Sequence, residues 1–147
     1  MRPALLSLCV LALLSACGKV EDTRPGTPVA HRQQAFKTIL NTFEPMGIAL
    51  REKRYAAESF LNNARALEAA KDAPWGYFGA DTHYPPSRSR ETVWSDASGF
   101  ARERDTFLAA VSALRQAAER RDEQTVRPAY EAVQASCRSC HKAFKGN

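Results

Sequence analysis

At 147 residues, 44% apolar and 25% charged, the chain has the composition of an ordinary soluble domain, long enough to bury a real core. Its net charge of +5 and sequence pI of about 9.2 amount to a mild basic excess. The Lys and Arg are scattered, and Arg120-Arg121 runs straight into Asp122-Glu123, so the excess reads as a solvated positive surface rather than a nucleic-acid site. Such a surface can still steer an acidic redox partner or meet an anionic membrane.

In chain order, Arg2 supplies a charged start and Ala4 to Ala16 an apolar core. This run is shorter than the roughly 20 residues that span a bilayer, and residues 1–16 read as a signal peptide. Leu14-Ser15-Ala16-Cys17 resembles a bacterial lipobox, in which cleavage precedes the cysteine and its sulfur is lipidated. An ordinary signal peptide with a cysteine near its cleavage site is the plainer alternative. Gly18 is not the aspartate associated with inner-membrane retention, which favours the outer membrane. The polar, turn-rich stretch up to Thr27 reads as a flexible tether, so that residues 17–27 precede a domain over 28–147.

Thr27-Pro28 has the form of an N-cap with proline at the first helical position. The first helix carries Arg32, Phe36, Leu40 and Phe43 along one face, and Pro45 and Gly47 are expected to kink or interrupt it. A second helix over about 55–72 places Phe60, Leu61, Ala64 and Leu67 at helical spacing. Residues 73–94 read as non-helical: prolines and glycines alternate with Trp75, Tyr77, Phe78, Tyr84 and Trp94, an aromatic loop expected to pack over something. Ser95 or Asp96 caps a third helix running to about Arg121, and Asp122-Glu123-Gln124 forms a short turn.

The last helix carries Val126, Tyr130, Val133, Cys137, Cys140, His141 and Phe144 on one stripe. Within it, Cys137-Arg138-Ser139-Cys140-His141 is the attachment signature of c-type haem: two thiols form thioethers with the vinyl groups and the imidazole becomes an axial iron ligand. On a helix the three side chains share one face. A redox dithiol ordinarily opens a helix after a strand, whereas this motif ends one. A structural zinc needs four ligands, and with Cys9 and Cys17 both in the N-terminal segment no second pair remains. One covalent haem c, inserted between the helices of an antiparallel four-helix bundle, is the reading that follows.

Over residues 29–145 the chain resembles the cytochrome c' family, the class II c-type cytochromes. The resemblance is carried by Arg32-Gln33 with Phe36, by Pro74-Trp75-Gly76-Tyr77-Phe78-Gly79, by Trp94-Ser95-Asp96-Ala97 and by the haem motif near the C-terminus. It implies that His141 is the only protein ligand of the iron, and that Arg32 and Gln33 lie near the haem propionates. It places Phe36 and Phe78 in the distal pocket, where low-spin relatives of the family carry a methionine ligand in place of Phe36. Lys145 stands on the proximal side, where the family usually has arginine; the charge is kept but the planar hydrogen-bonding fork is lost. His31, His83 and Met46 are the remaining candidate ligands, with weaker claims.

A phenyl ring has no lone pair to give iron, so Phe36 implies a five-coordinate haem that binds NO or CO and can transfer electrons on the periplasmic side of a membrane. Oxygen gains little from a pocket without a hydrogen-bond donor. The alternative is a dedicated electron carrier with six-coordinate haem. No enzymatic role is expected, since no distal His–Arg pair accompanies Phe36. Periplasmic redox partners, a membrane anchor through Cys17 and a homodimer built on the first two helices complete the expectations.

Overall fold

The computed structural model describes residues 20–146; residues 1–16, expected to form a signal peptide, and Cys17 lie outside the described residues. Its helices are α1 (Pro28–Arg51), α2 (Ala57–Ala70), α3 (Thr92–Ser95), α4 (Ala97–Glu119) and α5 (Glu123–Phe144), with a turn of 3-10 helix at Trp75–Tyr77, so the stretch 73–94 expected to be non-helical holds two short helical turns. The four long ones form an antiparallel four-helix bundle, and α3 is a single turn at the end of the loop that crosses from α2 to α4.

The start of α1 is capped differently from the expectation. Thr27 is left-handed, with φ of 38°, and its side chain makes no capping bond. The chain instead turns back through Gly26, with Thr27 N–H donating to the Arg24 carbonyl at 2.9 Å. That reversal carries Asp22 onto the helix end, where its carboxylate accepts from the N–H groups of Val29 at 2.8 Å and Ala30 at 3.1 Å. A carboxylate at this position also suits the helix dipole.

α1 is not interrupted at Pro45 and Gly47 but runs on to Arg51. Proline removes one hydrogen bond, to the carbonyl of Asn41, and both residues face solvent, where water can satisfy the freed carbonyl. On the opposite face Phe43, Met46, Gly47 and Leu50 are buried, and that packing outweighs the lost bond. Gly47 has a different role from breaking the helix. A Cβ there would collide with the Tyr130 hydroxyl, so its absence lets α5 approach α1. Just below, Phe43 and Tyr130 stack with ring centroids 4.4 Å apart and planes inclined by 8°.

The α2 stripe is as expected, with Phe60, Leu61, Ala64 and Leu67 all buried. Asp96 caps α4 by accepting from Gly99 N–H at 3.0 Å. The turn before α5 lies one step earlier than expected. Arg121 adopts φ of 57°, and Asp122 is the cap, accepting from Thr125 N–H at 2.9 Å and from Gln124 N–H at 3.4 Å. Glu123 and Gln124 are therefore already helical.

Leu67, Val111, Leu114, Ala118, Val126 and Val133 are fully or almost fully buried and tie α2, α4 and α5 together. Backbone bonds from Arg90 N–H to the Phe144 carbonyl (2.9 Å) and from Gly146 N–H to the Arg88 carbonyl (2.7 Å) fasten the crossing loop to the end of α5. The start of α1, the crossing loop and the end of α5 thus share one end of the bundle.

Candidate haem-attachment site

The stripe of α5 descends from the core to the surface. Val126, Tyr130, Val133 and Ser136 are buried, Cys137 and Cys140 half-buried, and His141 exposed. Cys137 still packs against the core, so the motif straddles the boundary between the bundle interior and its open end. Both cysteines are free thiols. Burial pushes the Cys137 thiol up, against weaker opposing bonds from Ser136 and its own backbone. Burial, aided by Glu103 and Cys137, pushes Cys140 up to about 11. Both are therefore neutral thiols at neutral pH. Burial lowers His141, with Lys145 and Arg88 adding to the effect, and this favours the neutral imidazole that metals bind.

Among the described residues no three His, Cys, Asp or Glu side chains converge as a site for a bare metal ion. The arrangement suits a planar group instead, attached at its edge by two thiols and reached at its centre by an imidazole one residue further on.

Arg32 supplies a second observation. The residue is only 3% exposed, yet every hydrogen bond its guanidinium makes goes to a neutral oxygen. These are the Tyr77 carbonyl at 2.8 Å, the Thr82 hydroxyl at 3.1 Å, the Thr82 carbonyl at 3.5 Å and the Ser87 hydroxyl at 2.8 Å. It also lies over the Phe78 ring, 4.3 Å from the centroid. Burial lowers its pKa, only partly offset by the more distant Tyr84 and Asp22. A buried cation without a carboxylate partner is costly. A propionate is the counter-charge such a residue lacks, and in this respect the chain's residues fit haem. Gln33 is exposed beside it and donates to the Pro86 carbonyl at 3.0 Å.

Phe36 projects from α1 into an aromatic belt. It meets Trp75 edge-on at 5.6 Å and Phe78 edge-on at 6.3 Å. Phe78 contacts Phe100 at 4.9 Å, and Phe100 contacts Phe144 at 5.4 Å, three residues beyond His141. The belt therefore joins Phe36 to the end of α5 through the crossing loop. Its indole groups are satisfied: Trp75 donates to the Lys71 carbonyl at 2.7 Å and Trp94 to the Gly79 carbonyl at 2.9 Å. Lys145 is exposed just past the last turn of α5.

The weaker candidate ligands are occupied elsewhere. Met46 is core, 1% exposed. His31 stacks on Tyr77 and His83 packs on Trp94. Thr82 and Ser87, which hold Arg32, were not legible as site residues, because nothing in an irregular loop marks which hydroxyls turn inward. Phe100 was legible as core from its helical spacing, but not as the link between Phe78 and Phe144.

A helical bundle with a two-thiol, one-imidazole attachment motif at its open end is the architecture of a class II c-type cytochrome. The sequence model of the cytochrome c' family matches residues 27–145, and the chain belongs to that family. Its cofactor is accordingly haem c, covalently bound through its iron-containing porphyrin. The chain is 30% identical to cytochrome c' of Rubrivivax gelatinosus over 124 residues, covering 83% of this chain and 96% of that protein. It is also similar to two solved structures of cytochrome c' from Alcaligenes xylosoxidans, both with a TM-score of 0.79. One is a ferrous arginine-to-lysine variant with NO bound, 30% identical, covering 86% of this chain and 99% of that one. The other is a leucine-to-glycine variant with carbon monoxide bound, 29% identical, covering 86% of this chain and 100% of that one.

Proposed function

We propose that this protein binds NO and CO at a haem whose only protein ligand is His141, and that it can also pass electrons on the periplasmic side of the membrane. The bound haem supplies a ferrous iron able to take up a small diatomic ligand. Cys137 and Cys140 would hold its edge through thioethers, and His141, neutral and on the same helix face, would supply the imidazole ligand to the iron. Arg32 neutralises a propionate, with Gln33 beside it, and in doing so clasps the crossing loop over the site. Lys145 keeps a positive charge on the proximal side.

The observation that carries the reading is the position of Phe36. Its ring offers no lone pair and lies edge-on to Trp75 and Phe78, an apolar aromatic setting that would leave the iron without a sixth protein ligand on that side. Such a surface suits NO and CO, which bind without a donor, and disfavours water and dioxygen. The two related cytochromes with NO and CO bound support the same ligand class. The reading is of a binding and electron-transfer protein rather than an enzyme. Signal peptide, lipid anchorage at Cys17, outer-membrane location and homodimerisation belong to the same proposal.

Absorption spectra of the ferric and ferrous protein, with and without NO and CO, test it directly. A low-spin, six-coordinate spectrum in both oxidation states would overturn the open site and leave a dedicated electron carrier. Phe36→Ala should speed CO association; an unchanged rate would show that the ring does not guard the iron.

A further inference from the structure

The stretch between the lipidation motif and α1 is bound to the fold from Asp22 onward. Besides capping α1, Asp22 accepts from the Tyr84 hydroxyl at 2.9 Å and from Arg24 N–H at 3.2 Å. Arg24 lies over the Tyr84 ring, 4.0 Å from its centroid, and donates to the Asp81 carbonyl at 3.2 Å. The strap is thus latched to the crossing loop. From Cys17 to Asp22 there are five residue steps, which reach about 17 Å at full extension. The bundle is longer than that: the 24 residues of α1 span about 36 Å at roughly 1.5 Å per residue. A tether so short and so attached cannot let the far end of the bundle face the bilayer while the haem end points away.

The end it holds is positively charged. Arg88, Arg90, Lys142 and Lys145 are exposed there, and none has an ion-pair partner among the described residues. Arg90 donates to the Lys142 carbonyl at 3.0 Å, which sets loop and helix charges side by side. Lys145 and Arg88 are close enough to His141 to lower its pKa. Glu91 and Asp81 in the loop, Asp96 at the start of α4 and Glu103, which accepts from the Ser139 hydroxyl at 2.9 Å, are the acidic side chains at this end; Asp96 is engaged as a cap and Glu103 by Ser139, while the four cations have no ion-pair partner among the described residues.

We propose that this basic end docks on the anionic phospholipid headgroups of the membrane that anchors Cys17, so that the haem end faces the bilayer. Apolar diatomic ligands partition into membranes, and this orientation would present the haem end to them. The inference rests on the lipid-anchor reading above. Basic residues beside an anionic surface are attracted only within about a Debye length, roughly 8–10 Å, and the strap, reaching about 17 Å at most, allows the basic end to come that close.

The test uses the mature holoprotein in vesicles carrying a headgroup-labelled fluorescent lipid, with the haem as quencher. The mass of the mature protein first reports whether Cys17 is acylated; an unmodified mass overturns the anchor reading and this orientation with it. For acylated protein, quenching should be at least twofold stronger in vesicles containing phosphatidylglycerol than in pure phosphatidylcholine. Raising the salt should abolish that difference in the native protein, a control that needs no variant. Joint R90E and K142E substitutions should remove it, and Asp22→Ala should reduce it, with the haem spectrum unchanged in each. Acylated protein that quenches equally in both vesicle types, whatever the salt, would refute the orientation while leaving the anchor intact.

Discussion

The two ends of the bundle are held together by different physics. At the far end, α1 meets α2 and α4 meets α5 through short turns, and the order comes from close packing: Phe43 stacks on Tyr130, and Gly47 makes room for the Tyr130 hydroxyl. At the haem end a loop of some two dozen residues is fixed by polar bonds from sequence-distant side chains, Arg32 to Tyr77, Thr82 and Ser87, and Asp22 to Tyr84. Apolar packing is non-directional and tolerates any side chain of suitable size, whereas the loop depends on particular donors meeting particular oxygens. Stability is therefore spread over the far end and concentrated in a few residues near the haem, and the two ends should respond differently to mutation.

The largest effect should come from the attachment residues. Cys137→Ser with Cys140→Ser should abolish covalent haem, measured as loss of haem stain on a denaturing gel and of haem mass on the polypeptide. Retention of covalent haem would mean that other residues hold it. At the core, Leu114→Ala should cost about 3 kcal/mol, within the range for emptying a fully buried leucine site. Denaturant unfolding followed by helix signal would show it, while CO affinity at folding conditions should stay unchanged.

Arg32→Ala is the sharpest test of the contrast. It removes a buried cation and leaves the inward-facing oxygens of Thr82 and Ser87 without their donor, a loss of about 2–3 kcal/mol. Unlike the leucine change it should also alter CO association, because the loop carries Phe78 and Trp75. Equal unfolding loss with untouched ligand kinetics would show that the loop is not coupled to the site. Gly47→Ala should cost about 1–3 kcal/mol through overpacking against Tyr130 and leave the ligand kinetics alone.

The smallest effect concerns the strap. Burial alone would raise the Asp22 pKa, but the hydrogen bonds from Tyr84, Ala30, Arg24 and Val29 outweigh it and hold the carboxyl below the ordinary 3.8. A depressed carboxyl stabilises the fold above its unfolded value, and that contribution is lost as pH falls through the lower folded value. Hydrogen exchange at residues 20–30 should therefore rise on acidification below pH 3.8, earlier than in α4. Tyr84→Phe should move the onset to higher pH, and coincident exchange of strap and α4 would show that no separate latch exists.

How far the sequence could be read follows the same division. Apolar periodicity marked α1, α2, α4 and α5 because each buries one stripe, although in α1 the buried stripe takes Ile39 and leaves Leu40 49% exposed, and the spacing of Cys137, Cys140 and His141 names its chemistry without a fold. Signals that are local but ambiguous were harder. Pro45 has the mark of a helix breaker, and only the solvent exposure of Asn41 and the burial of Met46 and Leu50 decide that the helix continues. Thr27 has the mark of a cap, and a turn at Gly26 gives that role to Asp22. Asp122 read as part of a turn because the left-handed conformation of Arg121 leaves no trace in composition.

Sequence alone thus determined the helices, the haem attachment and the apolar residue at position 36, because each rests on spacing or on the chemistry of one side chain. Tertiary structure decided what depends on distant residues meeting: Arg32 buried without a carboxylate, Phe36 joined to Phe144 through an aromatic belt, and the strap latched across Tyr84. Helical periodicity is a local property, encoded within a few turns. The polar contacts of an irregular loop are fixed only when the elements they join have already packed, and no run of neighbouring residues contains that information.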